Sequence, residues 1–288
     1  MRLRHINDAP KRGDAREGQA LRGRVLIIVN PAAGRRRRSR RRLDQVVAAL
    51  TRRGVTVVLR YTGPSSGDAE RLAREAEPEF EAIVAAGGDG TLNAVANGLA
   101  GTDRVLAVLP LGTANVLARE IGLPRDPELL AELIAAGVAR PIWPGRVGDR
   151  LFLMMASSGF DAETVAAVNP RLKRRLGRLA FAWAIAICWW YYRNRELTVA
   201  INGADHRAAA VIAARGRFYA GPYLIAPQAN LAEPMLDFVL LRRSGRLAVL
   251  RYLAVLLLGG ISRRRDVTLL RATSASLSAG AWGSPRLR

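Results

Sequence analysis

Half of this 288-residue chain is hydrophobic, enough to bury the cores of two ordinary domains. The net charge of +21 is almost all arginine, with only Lys11 and Lys173 as lysines, and it favours phosphate-bearing partners. The sparse aromatics do not interleave with the arginines, which argues against a single-strand nucleic-acid groove, and Cys188 alone excludes an internal disulfide or a cysteine zinc cluster.

Residues 1–23 mix both charge signs without periodicity and read as a mobile basic tail. No secretory leader is visible in them, and the longest apolar run, 179–192, is shorter than the ~20 residues of a spanning helix. Cys188, read as a buried apolar residue, fits a reducing compartment. A cytoplasmic protein with peripheral membrane contact is expected.

From 24 to 140, the continuous apolar runs 25–29, 55–59, 82–86 and 105–109 have the texture of strands covered on both faces. They alternate with helical spacing over 39–53, 65–76, 91–99 and 113–121, several of these segments opening on Ser or Thr. This predicts a Rossmann-like α/β domain with a parallel sheet. After Pro141 and Pro144 come shorter β-rich pieces at 151–156, 197–201, 208–213 and 236–241, with helical insertions over 172–191 and 247–258. A mainly β domain over 141–271 follows, and 272–288 reads as an atypical tail without strand character.

Three glycine-bearing turns carry the chemistry. Gly87-Gly88-Asp89-Gly90-Thr91 joins a predicted strand to a predicted helix, presenting backbone N–H groups and a positive helix end to a phosphate. Asn30-Pro31-Ala32-Ala33-Gly34 follows the first strand, and Pro110-Leu111-Gly112-Thr113-Ala114-Asn115 follows the fourth. In a parallel sheet all three turns fall at the carboxyl edge, where open α/β sheets bind ligands.

These segments resemble the diacylglycerol kinase catalytic-domain family, which includes bacterial lipid kinases and the sphingosine and ceramide kinases. Ser158-Gly159-Phe160-Asp161-Ala162 and the stretch from Ile225-Ala226-Pro227 to Leu236-Asp237 resemble its second domain, so the likeness spans about 24–270. It implies ATP as donor, Mg2+ as helper, and a β-sandwich second domain with the site between the two. It makes Gly87, Gly88, Gly90 and Thr91 the phosphate loop, with Asn30, Gly34, Thr113 and Asn115 beside the nucleotide and Asp89 as the key acid. The Asp-Gly-Glu tripeptide usual near the C-terminus of bacterial members is absent, which suggests a truncated or frame-shifted end and impaired catalysis. Where many relatives carry an aspartate-rich magnesium loop, this chain has Asn230, Glu233 and Met235, oxygen donors for a cation or simply a proline turn.

The implied activity is transfer of the γ-phosphate to a hydroxyl of diacylglycerol or a related lipid. A non-catalytic nucleotide- and membrane-binding pseudokinase, or an enzyme like NAD kinase, stays as an alternative. Past Pro170, Arg171, Arg174, Arg175 and Arg178 form one stripe and Leu172, Leu176, Leu179 and Trp183 another. Such a helix suits an anionic membrane surface, as does the arginine run 35–42. No nucleic-acid-binding signature is present, a homodimer stays open, and His5 and His206 lack partner spacing for a metal or triad.

Overall fold

The computed structural model describes residues 2–5, 21, 23–34, 36–65, 67–167, 179–192 and 196–279. They divide into two compact units, one within 8–142 and the other combining 1–7 with 143–288.

Strand β1 (Arg2–His5) belongs to the second of these units. The first unit is built on β2 (Arg24–Val29), β3 (Thr56–Tyr61), β4 (Phe80–Gly87) and β5 (Val105–Pro110), all parallel, in the spatial order β3-β2-β4-β5. Strand β2 is buried along its whole apolar run because both its faces are covered. Val25, Ile27 and Val29 pack on Leu43, Val46 and Leu50 of α1 (Arg36–Arg52) and on Leu130 and Ile134 of α5 (Pro127–Ala135). Leu26 and Ile28 are fully buried on the opposite face, where α2 (Asp68–Arg74) and α3 (Asp89–Gly98) contact β2 and β4. Each such side chain contributes about 2 kcal/mol of burial. Helix α4 (Val116–Glu120) follows β5.

Helix α5 was not among the helices expected from periodicity. The Asp126 carboxylate accepts hydrogen bonds from the N–H groups of Glu128 (2.8 Å) and Leu129 (3.1 Å), with Pro127 in the first turn. That Asp-Pro signal was available, but the exposed Leu129 and Leu133 blur the apolar stripe.

The second unit contains β6 (Gly145–Val147), β7 (Arg150–Phe152), β8 (Met155–Ser158), α6 (Phe160–Ala167), α7 (Leu179–Trp190), β9 (Leu197–Ile201), β10 (Ala204–Ala208) and β11 (Ala210–Ala214). The hairpin β12 (Phe218–Tyr219) and β13 (Tyr223–Leu224), then β14 (Leu236–Leu241), α8 (Arg246–Leu257), β15 (Val267–Ala272) and β16 (Ser274–Ala279) complete it. Two antiparallel sheets, β10-β9-β16-β1-β6-β7 and β15-β14-β11-β8, form a sandwich. Its filling joins Leu197, Val199 and Ile201 of one sheet to Val211, Leu236, Phe238 and Leu240 of the other. Ile212 and Val239 alternate to the outer face of the four-stranded sheet, where Tyr252 and Leu256 of α8 cover them.

Two expectations about the chain ends are corrected. Residues 2–5, assigned to a mobile tail, pair on both sides: Leu3 lies opposite Ala275 of β16 and Val147 of β6. Residues 274–279, judged to lack strand character, form β16 between β9 and β1. Ser and Ala are poor strand formers, so local propensity hid the strand; neighbours on both edges override propensity by satisfying its backbone. The four arginines of the basic stripe lie outside the described residues. No helix among the described residues is long and apolar enough to cross a membrane.

Candidate functional site

The chain runs from β2 through α1 to β3 on one side, then crosses to β4 on the other side of β2. The carboxyl ends of β2 and β4 therefore flank the point where strand order reverses, and their loops meet there. The Asn30 amide Nδ2 donates to Thr91 Oγ1 (3.0 Å), while its Oδ1 accepts from the Ala32 N–H (2.9 Å). One side chain thus fixes its own turn and ties it to the glycine loop, leaving Thr91 buried.

The third loop is joined just as closely. The N–H groups of Leu111 (2.8 Å) and Gly112 (3.1 Å) both donate to the Gly87 carbonyl. A side chain on Gly112 would strike Gly88 Cα, so only glycine allows the two backbones to approach this far. Gly34 stands at φ +64°, and a Cβ there would meet the Leu111 carbonyl. Ser39 Oγ reaches that carbonyl from α1 at 3.4 Å. Asn115 adopts the left-handed conformation and closes its turn reciprocally with Gly112: N–H to Oδ1 and Nδ2 to O, both 2.9 Å.

The structure gathers Asn30, Gly34, Gly87, Gly88, Gly90, Thr91, Thr113 and Asn115 around one rim of the first unit. The side chains of Asn30, Thr91 and Asn115, expected beside a nucleotide, are spent on bonds between or within loops. Backbone groups of the loops, with the exposed Thr113, remain open to a ligand. No side chain caps the start of α3, and nothing lies within 4 Å of where a Gly90 side chain would stand. An uncapped ten-residue helix with open space at its first turn suits a phosphate group.

Asp89 serves two elements. It opens α3, and its Oδ1 accepts from the N–H of Val116 (2.7 Å) and Leu117 (3.4 Å), capping α4 from another segment. Sequence reasoning missed this cap, because the residues lie 27 and 28 positions apart. Oδ2 makes no hydrogen bond among the described residues. Arginines crowd the N-terminal half of α1, with Arg37, Arg38, Arg40 and Arg41 exposed. Cations at that helix end oppose its dipole, so they favour an incoming anion. Arg42, donating to the Pro124 carbonyl (3.3 Å), has its pKa lowered by burial and then by Arg38.

The expected metal loop does not fit a divalent ion. Asn230 spends its side chain locally: Nδ2 donates to Glu233 Oε1 (2.8 Å) and Oδ1 accepts from the Ala232 N–H (3.0 Å). Glu233 Oε2 pairs with Arg271 (2.5 Å), and the Met235 carbonyl accepts from Arg215 Nη1. Among the described residues no three His, Cys, Asp or Glu side chains come together as a metal cluster. Cys188 is half-buried rather than buried, its thiol pKa raised by desolvation.

Residues 24–147 match the model of the diacylglycerol kinase catalytic domain, and residues 154–285 match the YegS C-terminal NAD kinase beta sandwich-like domain. The chain is 32% identical over 255 residues to a diacylglycerol kinase of Bacillus subtilis (strain 168), covering 82% of this chain and 79% of that one. It is 37% identical over 186 residues to a protein of Pseudomonas putida named "Probable lipid kinase YegS-like", covering 61% of each. The crystal structure of a diacylglycerol kinase from Bacillus anthracis str. Sterne superposes with a TM-score of 0.67 at 24% identity, over 89% of this chain and 86% of that one. With both units matched and most of its length aligned to such a relative, the chain belongs to the diacylglycerol kinase family of lipid kinases.

Proposed function

We propose that this protein transfers the γ-phosphoryl group of ATP to a hydroxyl of diacylglycerol or a related membrane lipid, at the inner face of the cell membrane. The observation that carries the reading is the uncapped start of α3 at the strand-order reversal, with the Asp89 carboxylate in its first turn. Phosphoryl transfer asks the protein mainly for positioning and for charge stabilisation around the phosphate oxygens. Amides of the Gly87–Thr91 loop hold the phosphates and the α1 arginines offset their charge. Asp89 Oδ2 takes the proton of the attacking hydroxyl, its orientation set by the α4 cap on Oδ1. Magnesium bound with the nucleotide would supply charge neutralisation on the phosphate oxygens.

Peripheral membrane contact is supported by α8. Leu247, Leu250, Ala254, Leu257 and Leu258 form an exposed apolar stripe, Leu247 being 82% and Leu258 85% exposed. On α7, Trp183 and Trp190 are exposed, while Trp189 donates to the Arg246 carbonyl (3.0 Å) and links the two helices. Arg242, Arg243, Arg246, Arg263 and Arg265 surround this apolar surface in sequence, a combination suited to an anionic lipid layer.

The test is an assay with purified protein, γ-labelled ATP, magnesium and either diacylglycerol in mixed micelles or NAD. Labelled lipid without labelled dinucleotide is the expected result. Label on NAD alone, or on neither acceptor while nucleotide still binds, rejects the reading.

A further inference from the structure

Five backbone carbonyls in the second unit, those of Trp143, Asn230, Leu231, Glu233 and Met235, turn toward one point. The guanidinium of Arg215 sits there, and the residue is 1% exposed. Its Nε donates to the Trp143 carbonyl and Nη1 to that of Met235. Its Nη2 lies 2.5 Å from the Glu233 carbonyl, 3.2 Å from that of Leu231 and 3.4 Å from that of Asn230.

Converging carbonyls with carboxylates behind them are the surroundings a hard cation seeks. Here the carboxylates are Glu233 and the buried Asp237, joined by Arg271 at 2.5 and 3.7 Å. A guanidinium offers five N–H donors in a fixed plane, enough to serve carbonyls from separate segments at once. A divalent ion drawing on the same carbonyls would face the positive charge of the guanidinium at close range. Burial lowers the Arg215 pKa to about 10, partly offset by Asp237, so the group stays protonated at neutral pH.

We propose that Arg215 is a built-in cation that organises the 230–235 loop in place of a divalent metal, so that this unit holds its fold without magnesium. The guanidinium ties the end of β11 and the start of the unit at Trp143 to the turn that leads into β14. Any magnesium requirement of the protein then lies with the nucleotide alone. This inference does not depend on the proposed lipid phosphorylation.

The test uses the full chain without nucleotide. Thermal unfolding in EDTA and in millimolar MgCl2 is expected to agree within about 1 °C, because a ligand that does not bind the native state cannot shift it. Hydrogen exchange of peptides spanning 226–237 should be equally slow in both. Arg215→Ala should lower Tm by roughly 10 °C, since the Glu233 and Met235 carbonyls lose the guanidinium as donor and the three segments it joins come untied. Millimolar guanidinium chloride, harmless to the parent, should recover part of that loss. A magnesium-dependent rise of several degrees in the parent, or magnesium-dependent protection of 226–237, overturns the proposal. So does an Arg215→Ala protein as stable as the parent. Should that variant fail to fold, the parent's comparison in EDTA and magnesium decides the question.

Discussion

Asp89 has two tasks that can be separated by substitution. Asp89→Asn keeps an oxygen to accept from Val116 and Leu117 but removes the charge, so Tm should change by about 2 °C at most while phosphate transfer falls by roughly two orders of magnitude or more. Asp89→Ala should lose transfer to the same degree and in addition about 1 kcal/mol of stability with the α4 cap. Full transfer by the Asn variant would remove Asp89 from the reaction. The motif was visible in the sequence, yet its internal bonding was not: nothing local says that Asn30 holds Thr91 or that Asp89 caps a helix 27 positions away.

At the scale of elements, the parallel strands were readable because burial on both faces leaves an unbroken apolar run. Strand β16 was not, because Ser-Ala-Ser-Leu-Ser-Ala has the alternation of a strand with residues of weak strand propensity. Ala275 points into the sandwich core and Ser276 to solvent. Ala275→Asp should cost several kcal/mol by burying an unpaired carboxylate, whereas Ser276→Asp should stay within about 0.5 kcal/mol. Equal unfolding midpoints in urea for the two variants would contradict the pairing. For α8, Leu247→Glu with Leu250→Glu should weaken sedimentation with anionic vesicles at least about tenfold, two exposed leucines each carrying on the order of 1–2 kcal/mol of burial, without lowering Tm.

Over the whole molecule, the net charge of +21 adds a long-range attraction to any anionic surface. Vesicle binding should therefore decline as salt rises from about 0.1 M toward 1 M, where the Debye length contracts from about 10 to 3 Å. Binding that salt leaves untouched would assign the attraction to the apolar stripe alone. The two units differ in how they resist unfolding. The first relies on helices covering a parallel sheet, the second on two sheets facing each other and on an arginine buried among carbonyls.

Periodicity, glycine turns and motif order were enough to determine the two-domain plan, the rim on which the loops lie and the family, because these depend on local patterns and on the rule placing ligands at the carboxyl edge of a parallel sheet. Only the tertiary structure decided that β1 and β16 close a six-stranded sheet and that Asp89 caps α4. It alone decided, too, that Arg215 takes the centre of a loop that reads as a metal site. Each of these joins residues far apart in the chain, through contacts that exist only once both partners are folded into place.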